Sequence, residues 1–547
     1  MKINQPSPPE SGLMSMSEKT LAQHIQRLAS DAFEGRFPGS TGEELTVDYL
    51  IQQFKMLGLQ PADPAGSYLQ KVPLIGITAA SDLELFFRTG AGKISYQSGH
   101  EFVAWSKQAG QETSIQGSDV LFAGYGVVAP EWDWDDYKDV DVKDKTLIVL
   151  VSDPPVPDPA DPSKLDEKIF NGKAMTYYGR WTYKLEMAAE KGARACFIIH
   201  EPGPAGYPWG VVKDSWSGEL FDLVTAEREL SHCALEGWLT DESARSLFQL
   251  AGHDLKTLKK AALRRDFKPV PLGLEASLTI EKTFRRVDSQ NVIAKLEGSN
   301  PDFKEQYVIY MAHWDHLGKK TTPKGDQIYH GAVDNASGTA GLLEMAKGFT
   351  QLQTPPRRSL LFLAVTAEEQ GLLGSTYYSE NPLYPVVNTV AALNMDGMNV
   401  LGQTRDVTIT GLGNSTLEDL IEAVCSEQGR VMRPDPEPEK GLFYRSDHFS
   451  FAKQGVPALS LNPGIDYLDK PQGWGLKARE EYTRHHYHKP SDQYDPAWDL
   501  SGLVQDLKLL FQVGYRLANQ DRYPTWKPTS EFRERRRQML MEAGLAE

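Results

Sequence analysis

The chain has 547 residues, 40% of them apolar and 24% charged, a globular balance in a chain too long for one ordinary domain. Its formal net charge of -16 argues against nucleic acid or an anionic membrane as partner, since both require basic surface. Cys196, Cys233 and Cys425 lie far apart, so they imply neither a disulfide framework nor a zinc cluster and read as small buried apolar residues.

Residues 1–17 are rich in Pro and Ser without an apolar run, which predicts a loose N-terminus and no signal peptide. No stretch approaches the roughly 18–20 apolar residues of a membrane helix, so no integral membrane segment is expected. The chain reads as cytoplasmic, unless an export signal lies outside this sequence.

SEKTLAQHIQRLAS predicts a helix with Ser17 as N-cap, and EELTVDYLIQQFKMLGL a second one ended by Gly58. Over 77–274 the texture changes to short strand-like segments, DLELFFRT, KISYQS, DVLFAGYGVV and TLIVLV, then a helix in YKLEMAAEKGA and a strand in RACFIIH. That region reads as mostly β. Over 275–522 the apolar strands YVIYMAH, SLLFLAVTA, TVAALNMD and PALSLN alternate with helices in GLLEMAKGF, LEDLIEAVCSEQG and LVQDLKLLFQVGYRLA. This pattern predicts an α/β fold, a mainly parallel mixed sheet covered by helices on both faces. Residues 523–547, with EFRERRRQMLMEAG, read as an exposed charged helix or tail.

Chemistry-bearing residues gather at the strand ends. His313 closes YVIYMAH, Glu368 and Glu369 close LLFLAVTA, and Asp396 closes AALNMD; Asp334 sits in GAVDNASG before a helix, and His488 in YHKPSD. Open α/β sheets bind ligands beyond the carboxyl ends of their strands. Histidine nitrogens with carboxylate oxygens suit zinc, and paired metals about 3.5–4 Å apart share a carboxylate. The expected arrangement is two zinc ions bridged by Asp334, with His313 and Asp396 on one and Glu369 and His488 on the other. Side chains of adjacent residues on an extended segment point to opposite sides. Glu369 is therefore expected as ligand and Glu368 as general base, later acid to the leaving amine. Asp315 is expected to fix the His313 tautomer, with Asp492 a weaker candidate for the same service to His488. Tyr487 is expected to donate to a tetrahedral oxyanion.

Taken singly, an HxD pair, an EE dipeptide and a DNASG cap are ordinary surface features; their order and their strand ends carry the reading. His316, His330, His485 and His486 are expected beside the site or exposed, and the PDPEPEK run is expected to be a solvated loop.

HWD, GAVDNASG, TAEEQGLLGS, NMDG, SDHFSFAKQGVPAL and YHKPSD, in that order, resemble the M28 family of zinc-dependent peptidases. EGRFPGSTGEE resembles that family's N-terminal region, and LFAGYGVV with KLEMAAEKGARACFIIH resembles its inserted protease-associated domain. The resemblance implies an aminopeptidase-like zinc exopeptidase fold, the ligand and base roles given above, and peptide or protein N-termini as substrate. It also implies an organisation of 18–76 and 275–522 as the peptidase domain, with 77–274 inserted and covering part of the cleft. Within the family motif SDHFSF, His448 lies near the substrate pocket without being a ligand, and Tyr444, Arg445 and Phe449 are candidates to line it. Members are often secreted or periplasmic. Alternatives are a carboxypeptidase or dipeptidase on the same scaffold, for which Arg445 and Arg484 are candidate carboxylate-binding cations, or a glutaminyl cyclase-like transferase. A noncatalytic receptor-like module is disfavoured because no ligand is missing. Oligomeric state is not encoded in these motifs.

Overall fold

The computed structural model describes residues 9–90, 92–216, 218–225, 231–322 and 325–545. The chain divides into two compact units, one of residues 1–73, 287–436 and 445–547, the other of residues 74–286 and 437–444.

The first unit holds the alternating part of the chain. Its main strands are the end of β1 (Val270–Leu296), β2 (Tyr307–His313), β3 (Ser359–Val365), β4 (Thr389–Met395), β5 (Asp406–Ile409), β6 (Val431–Pro434) and β7 (Ala458–Asn462). Its main helices are α1 (Glu18–Leu28), α2 (Thr41–Met56), α3 (Gly338–Thr350), α4 (Leu373–Glu380), α5 (Leu417–Glu427), α6 (His448–Lys453), α7 (Trp474–His485) and α8 (Ser501–Asn519). The sheet order is β1-β3-β2-β4-β7-β5-β6. β3, β2, β4 and β7 run parallel, as do β5 and β6, whereas β1–β3 and β7–β5 are antiparallel.

Every residue of β2, β3 and β4 is buried, as continuous apolar strands covered on both faces must be. One face, with Val308, Tyr310, Phe362 and Leu393, packs with Ile25 of α1, Leu343 of α3 and Leu507 of α8. The other, with Ile309, Met311, Leu361 and Leu363, packs with Tyr378 of α4 and Phe451 of α6. Each such aliphatic or aromatic side chain contributes about 1.5–3 kcal/mol by leaving water. The expected α/β architecture is the observed one.

The ends of the chain differ from expectation. Residues 1–8 of the expected loose N-terminus lie outside the described residues, but Glu10–Ser15 is helical, with Gly12 and Met16 buried. The C-terminal helix, Arg533–Glu542, is not simply exposed: Arg536 and Leu540 are buried, and Arg536 donates to the Thr389 carbonyl at 3.2 Å. Its long aliphatic stem and Leu540 form an apolar stripe that the charged composition hides. All three cysteines are buried and free.

The second unit has a sheet of its own, in the order Phe102–Trp105, Leu235–Thr240, Ala195–His200, Thr146–Leu150, Glu112–Phe122, the start of β1, Glu84–Thr89 and Gly92–Gln97. The pairings from Leu235–Thr240 across to Glu112–Phe122 are parallel and the rest antiparallel. Helices Trp181–Glu190 and Asp241–Leu250 accompany it. Among the described residues no helix is long and apolar enough to cross a membrane.

Candidate metal centre

Strand register sets the site. His313 of β2 stands level with Val365 of β3, and Met311 with Asn394 of β4, so the residues just beyond all three strands emerge at one edge. His313 is 1% exposed. Its Nδ1 donates to the Asp315 carbonyl at 3.2 Å, which turns Nε2 toward carboxylates. Asp334 Oδ1 and Asp396 Oδ1 each lie 3.3 Å from Nε2, and Glu368 Oε2 lies at 4.0 Å. The second oxygen of Asp334 is 3.3 Å from His488 Nε2, and Glu369 Oε2 is 3.0 Å from that same nitrogen. Asp334 therefore presents one oxygen to each histidine.

The glutamate pair is not on an extended segment. β3 ends at Val365, Ala367 takes a left-handed φ of 53°, and the two glutamates lie on the bend and turn that follow. The turn still divides them. Glu368 faces His313, while Glu369 faces His488 and accepts from His316 Nδ1 at 2.6 Å. Asp315 holds this turn: its Oδ1 accepts the Glu368 N–H at 3.0 Å and its Oδ2 the Glu369 N–H at 3.3 Å. The expected grip on His313 thus comes from the Asp315 backbone carbonyl, with the carboxylate farther off at 3.6 Å.

Asp492 also differs from expectation. It accepts the N–H groups of Val333 and Asp334 at 3.0 and 3.1 Å, so it braces the Asp334 turn instead of His488. Asn335 ties that turn to the end of β4, donating to the Met395 carbonyl and accepting from the Gly397 N–H. Asp396 accepts from the Ser446 hydroxyl at 2.5 Å. His488 follows α7 with a left-handed φ of 57°, and the 43%-exposed Tyr487 stacks on its ring at 3.9 Å.

Buried carboxylates outnumber imidazoles here, and proton affinities follow. Burial opposes a charged His313, yet Glu368 and Asp396 hold its imidazole well above the usual range. His488 is likewise raised against burial, to about 10, by Glu369 and Asp334. Burial pushes the Glu368 carboxyl well above a normal carboxylate, with Asp396, Glu369 and Asp447 adding to it against His313. Burial and Asp334 would raise Glu369 as well, but His488 and His316 outweigh them and hold it at about 2. Such a cluster calls for cationic charge.

The donor set fits zinc. Hydrogen bonds from N–H to O span about 2.7–3.2 Å, whereas two atoms each about 2.0–2.1 Å from one tetrahedral zinc stand about 3.3 Å apart. Three of the contacts measure that 3.3 Å. His488 Nε2 is buried and, among the described residues, makes no well-formed hydrogen bond. His313, Asp334 and Glu369 come within one metal's reach, as do His313, Glu368 and Asp396.

Phe449 is buried against Phe532, His448 is fully buried with its imidazole driven down to about 3 by desolvation, and Tyr444 belongs to the second unit, beside Tyr177. Arg484 pairs with Glu480 at 2.5 Å on the surface of α7. His330 bonds Asp31, His485 lies 3.7 Å from Glu481, and His486 bonds Ser491. Sequence reasoning missed His316 as the partner of Glu369, although its place three residues after His313 was a signal; Ser446 gave none.

Residues 291–511, a span containing every side chain of this cluster, match the model of peptidase family M28. The chain is 30% identical to the mouse protein Aminopeptidase NAALADL1 over 243 residues, 42% of this chain and 29% of that protein. It is 26% identical to Leucine aminopeptidase 2 of Trichophyton equinum over 229 residues, 40% of this chain and 42% of that protein. The chain thus spans less than half the length of either relative. Among solved structures, the aminopeptidase from Aneurinibacillus sp. strain AM-1 superposes with a TM-score of 0.53 at 19% identity, covering 95% of this chain and 98% of that one. That likeness is one of fold.

Proposed function

We propose that the protein is an aminopeptidase working with two zinc ions and releasing N-terminal residues from peptides or proteins. The observation that carries this reading is the placement of Asp334, one oxygen 3.3 Å from His313 Nε2 and the other 3.3 Å from His488 Nε2. His313 and Asp396 would hold one ion, Glu369 and His488 the other, with Asp334 shared. Zinc bound there supplies polarisation of the scissile carbonyl and acidification of the attacking water.

The chain's own residues move the proton. Glu368 receives it at a carboxylate oxygen as water attacks, then delivers it to the departing amine nitrogen. The burial that raises its proton affinity supports that role. Tyr487, stacked on His488, donates its hydroxyl to the carbonyl oxygen as negative charge develops there. The acidic surroundings favour the α-ammonium of a peptide N-terminus. Arg484, one of the two cations a carboxypeptidase could use, is instead engaged by Glu480 on an exposed helix. The two relatives described above, both named as aminopeptidases, agree with this choice.

Elemental analysis paired with hydrolysis of aminoacyl-p-nitroanilides before and after chelation tests the proposal. Bound zinc near two ions per chain, with activity lost to chelator and restored by zinc, is the expected result. Zinc without activity on free-amine substrates would reject the aminopeptidase reading, and no zinc after reconstitution would reject the whole.

A further inference from the structure

Arg36 is 1% exposed, and among the described residues no carboxylate is within hydrogen-bond reach of its guanidinium. The guanidinium bonds four backbone carbonyls instead. Nε donates to Trp314 at 2.8 Å, Nη1 to Leu28 and His330 at 2.7 Å each, and Nη2 to Gly331 at 2.8 Å. Trp314 lies between His313 and Asp315, and Gly331 opens the turn that carries Asp334. One rigid fork thus joins the segment after the first histidine to the segment before the shared aspartate.

We infer that Arg36 is a positioning residue of the metal centre, setting the spacing between His313 and Asp334 and placing a fixed positive charge behind the carboxylates. The inference rests on the zinc reading above. Charge-assisted bonds to carbonyls are stronger than neutral ones, and the planar fork fixes directions that a flexible ammonium does not. Burial lowers the Arg36 pKa to about 10, and the carboxylates that act against burial are those of the site and its braces, Asp315, Asp492, Asp334 and Glu369. The local chain is shaped for this insertion. Gly35 has φ +69°, and a Cβ there would stand 2.4 Å from the carbonyl oxygens of Gly318 and Tyr329. Only glycine lets the chain pass so close to the two segments that Arg36 joins.

The test compares wild type, Arg36→Lys, Arg36→Met and Gly35→Ala. Zinc affinity of the metal-free proteins is measured by competition with a chromophoric chelator, thermal unfolding is followed with and without zinc, and kcat and KM are measured separately. Arg36→Met is expected to lose about 10–100-fold in zinc affinity, the usual cost of removing a residue that orients ligands. Arg36→Lys, which keeps charge but not the fork, should lose less, and Gly35→Ala should also weaken zinc. The melting-temperature rise on adding zinc should shrink, with kcat falling more than KM rises. Folded variants with wild-type zinc affinity would overturn the inference. So would failure of all three to fold at saturating zinc, which would make Arg36 a pillar of the fold alone. A wild-type protein that binds no zinc would instead overturn the zinc reading.

Discussion

The carboxylate of Asp315 accepts the backbone N–H of Glu368 at 3.0 Å, while the Asp315 carbonyl accepts His313 Nδ1–H at 3.2 Å. One residue therefore aims an imidazole with its backbone and shapes the glutamate turn with its side chain. Asp315→Ala frees the turn and leaves the imidazole bond. The expected outcome is a loss of about 10–100-fold in zinc affinity, with a fall in kcat of similar size. Asp315→Asn, which keeps an acceptor oxygen, should lose less. Wild-type zinc affinity in a folded Asp315→Ala protein would show that the turn holds itself.

Glu368→Gln preserves volume and removes the ability to take a proton. Zinc content should stay at the wild-type level and KM near it, while kcat drops by about 10²–10⁴-fold, the range for a positioned acid–base group. A variant with kcat within about tenfold of wild type would place the base elsewhere.

Tyr487→Phe keeps the stack on His488 and deletes only the hydroxyl. Loss of one oxyanion donor costs about 10²–10³-fold in kcat, and KM should hardly move. A raised KM with unchanged kcat would make Tyr487 a substrate-binding residue.

The convergence of His313, Glu368 and Asp396 was legible because buried parallel strands read as unbroken apolar runs, so the residue that ends each run is visible without a structure. The Ser17 cap was legible for an equally local reason: its side chain accepts the Thr20 N–H. What bends the chain between elements was not. Nothing in TAEEQG announces the left-handed Ala367 that takes the glutamates off the strand direction. Asp492 stands close in sequence to His488 yet bonds the backbone of Val333 and Asp334. Arg36 acts nearly three hundred residues along the chain, through carbonyls that every residue carries. Helix α7 escaped notice because its single buried residue, Gly475, leaves no apolar stripe.

His24 gives the fold a pH dependence away from the metal centre. It lies on α1 with Nδ1 2.6 Å from the Tyr49 hydroxyl, and burial, then Lys347, lowers its pKa from 6.5 to about 4. Between those values only the unfolded chain carries the proton, so stability falls as pH drops through the window. The loss is about 1.4 kcal/mol per unit, about 3 kcal/mol in all. Urea unfolding of wild type and His24→Phe under chelation checks this. Wild type should lose that much more than the variant on acidification, and parallel curves would rule the account out.

Arg430 and Asp506 form a buried pair, Nη2 to Oδ1 at 2.6 Å, with side chains 2% and 0% exposed. The same Nη2 also meets the Thr404 hydroxyl and the Asp406 carbonyl, so the guanidinium links α8 to the strand edge at β5. Attraction between two desolvated charges roughly repays what each loses by leaving water, but one charge left alone repays nothing. Asp506→Ala should therefore destabilise the fold by about 3–5 kcal/mol. Asp506→Leu combined with Arg430→Met, which strips both charges and refills the space, should recover most of that loss. Denaturant unfolding of the two variants decides between the accounts. If the double variant is as weak as the single one, the pair matters through the Thr404 and Asp406 bonds and not through charge balance.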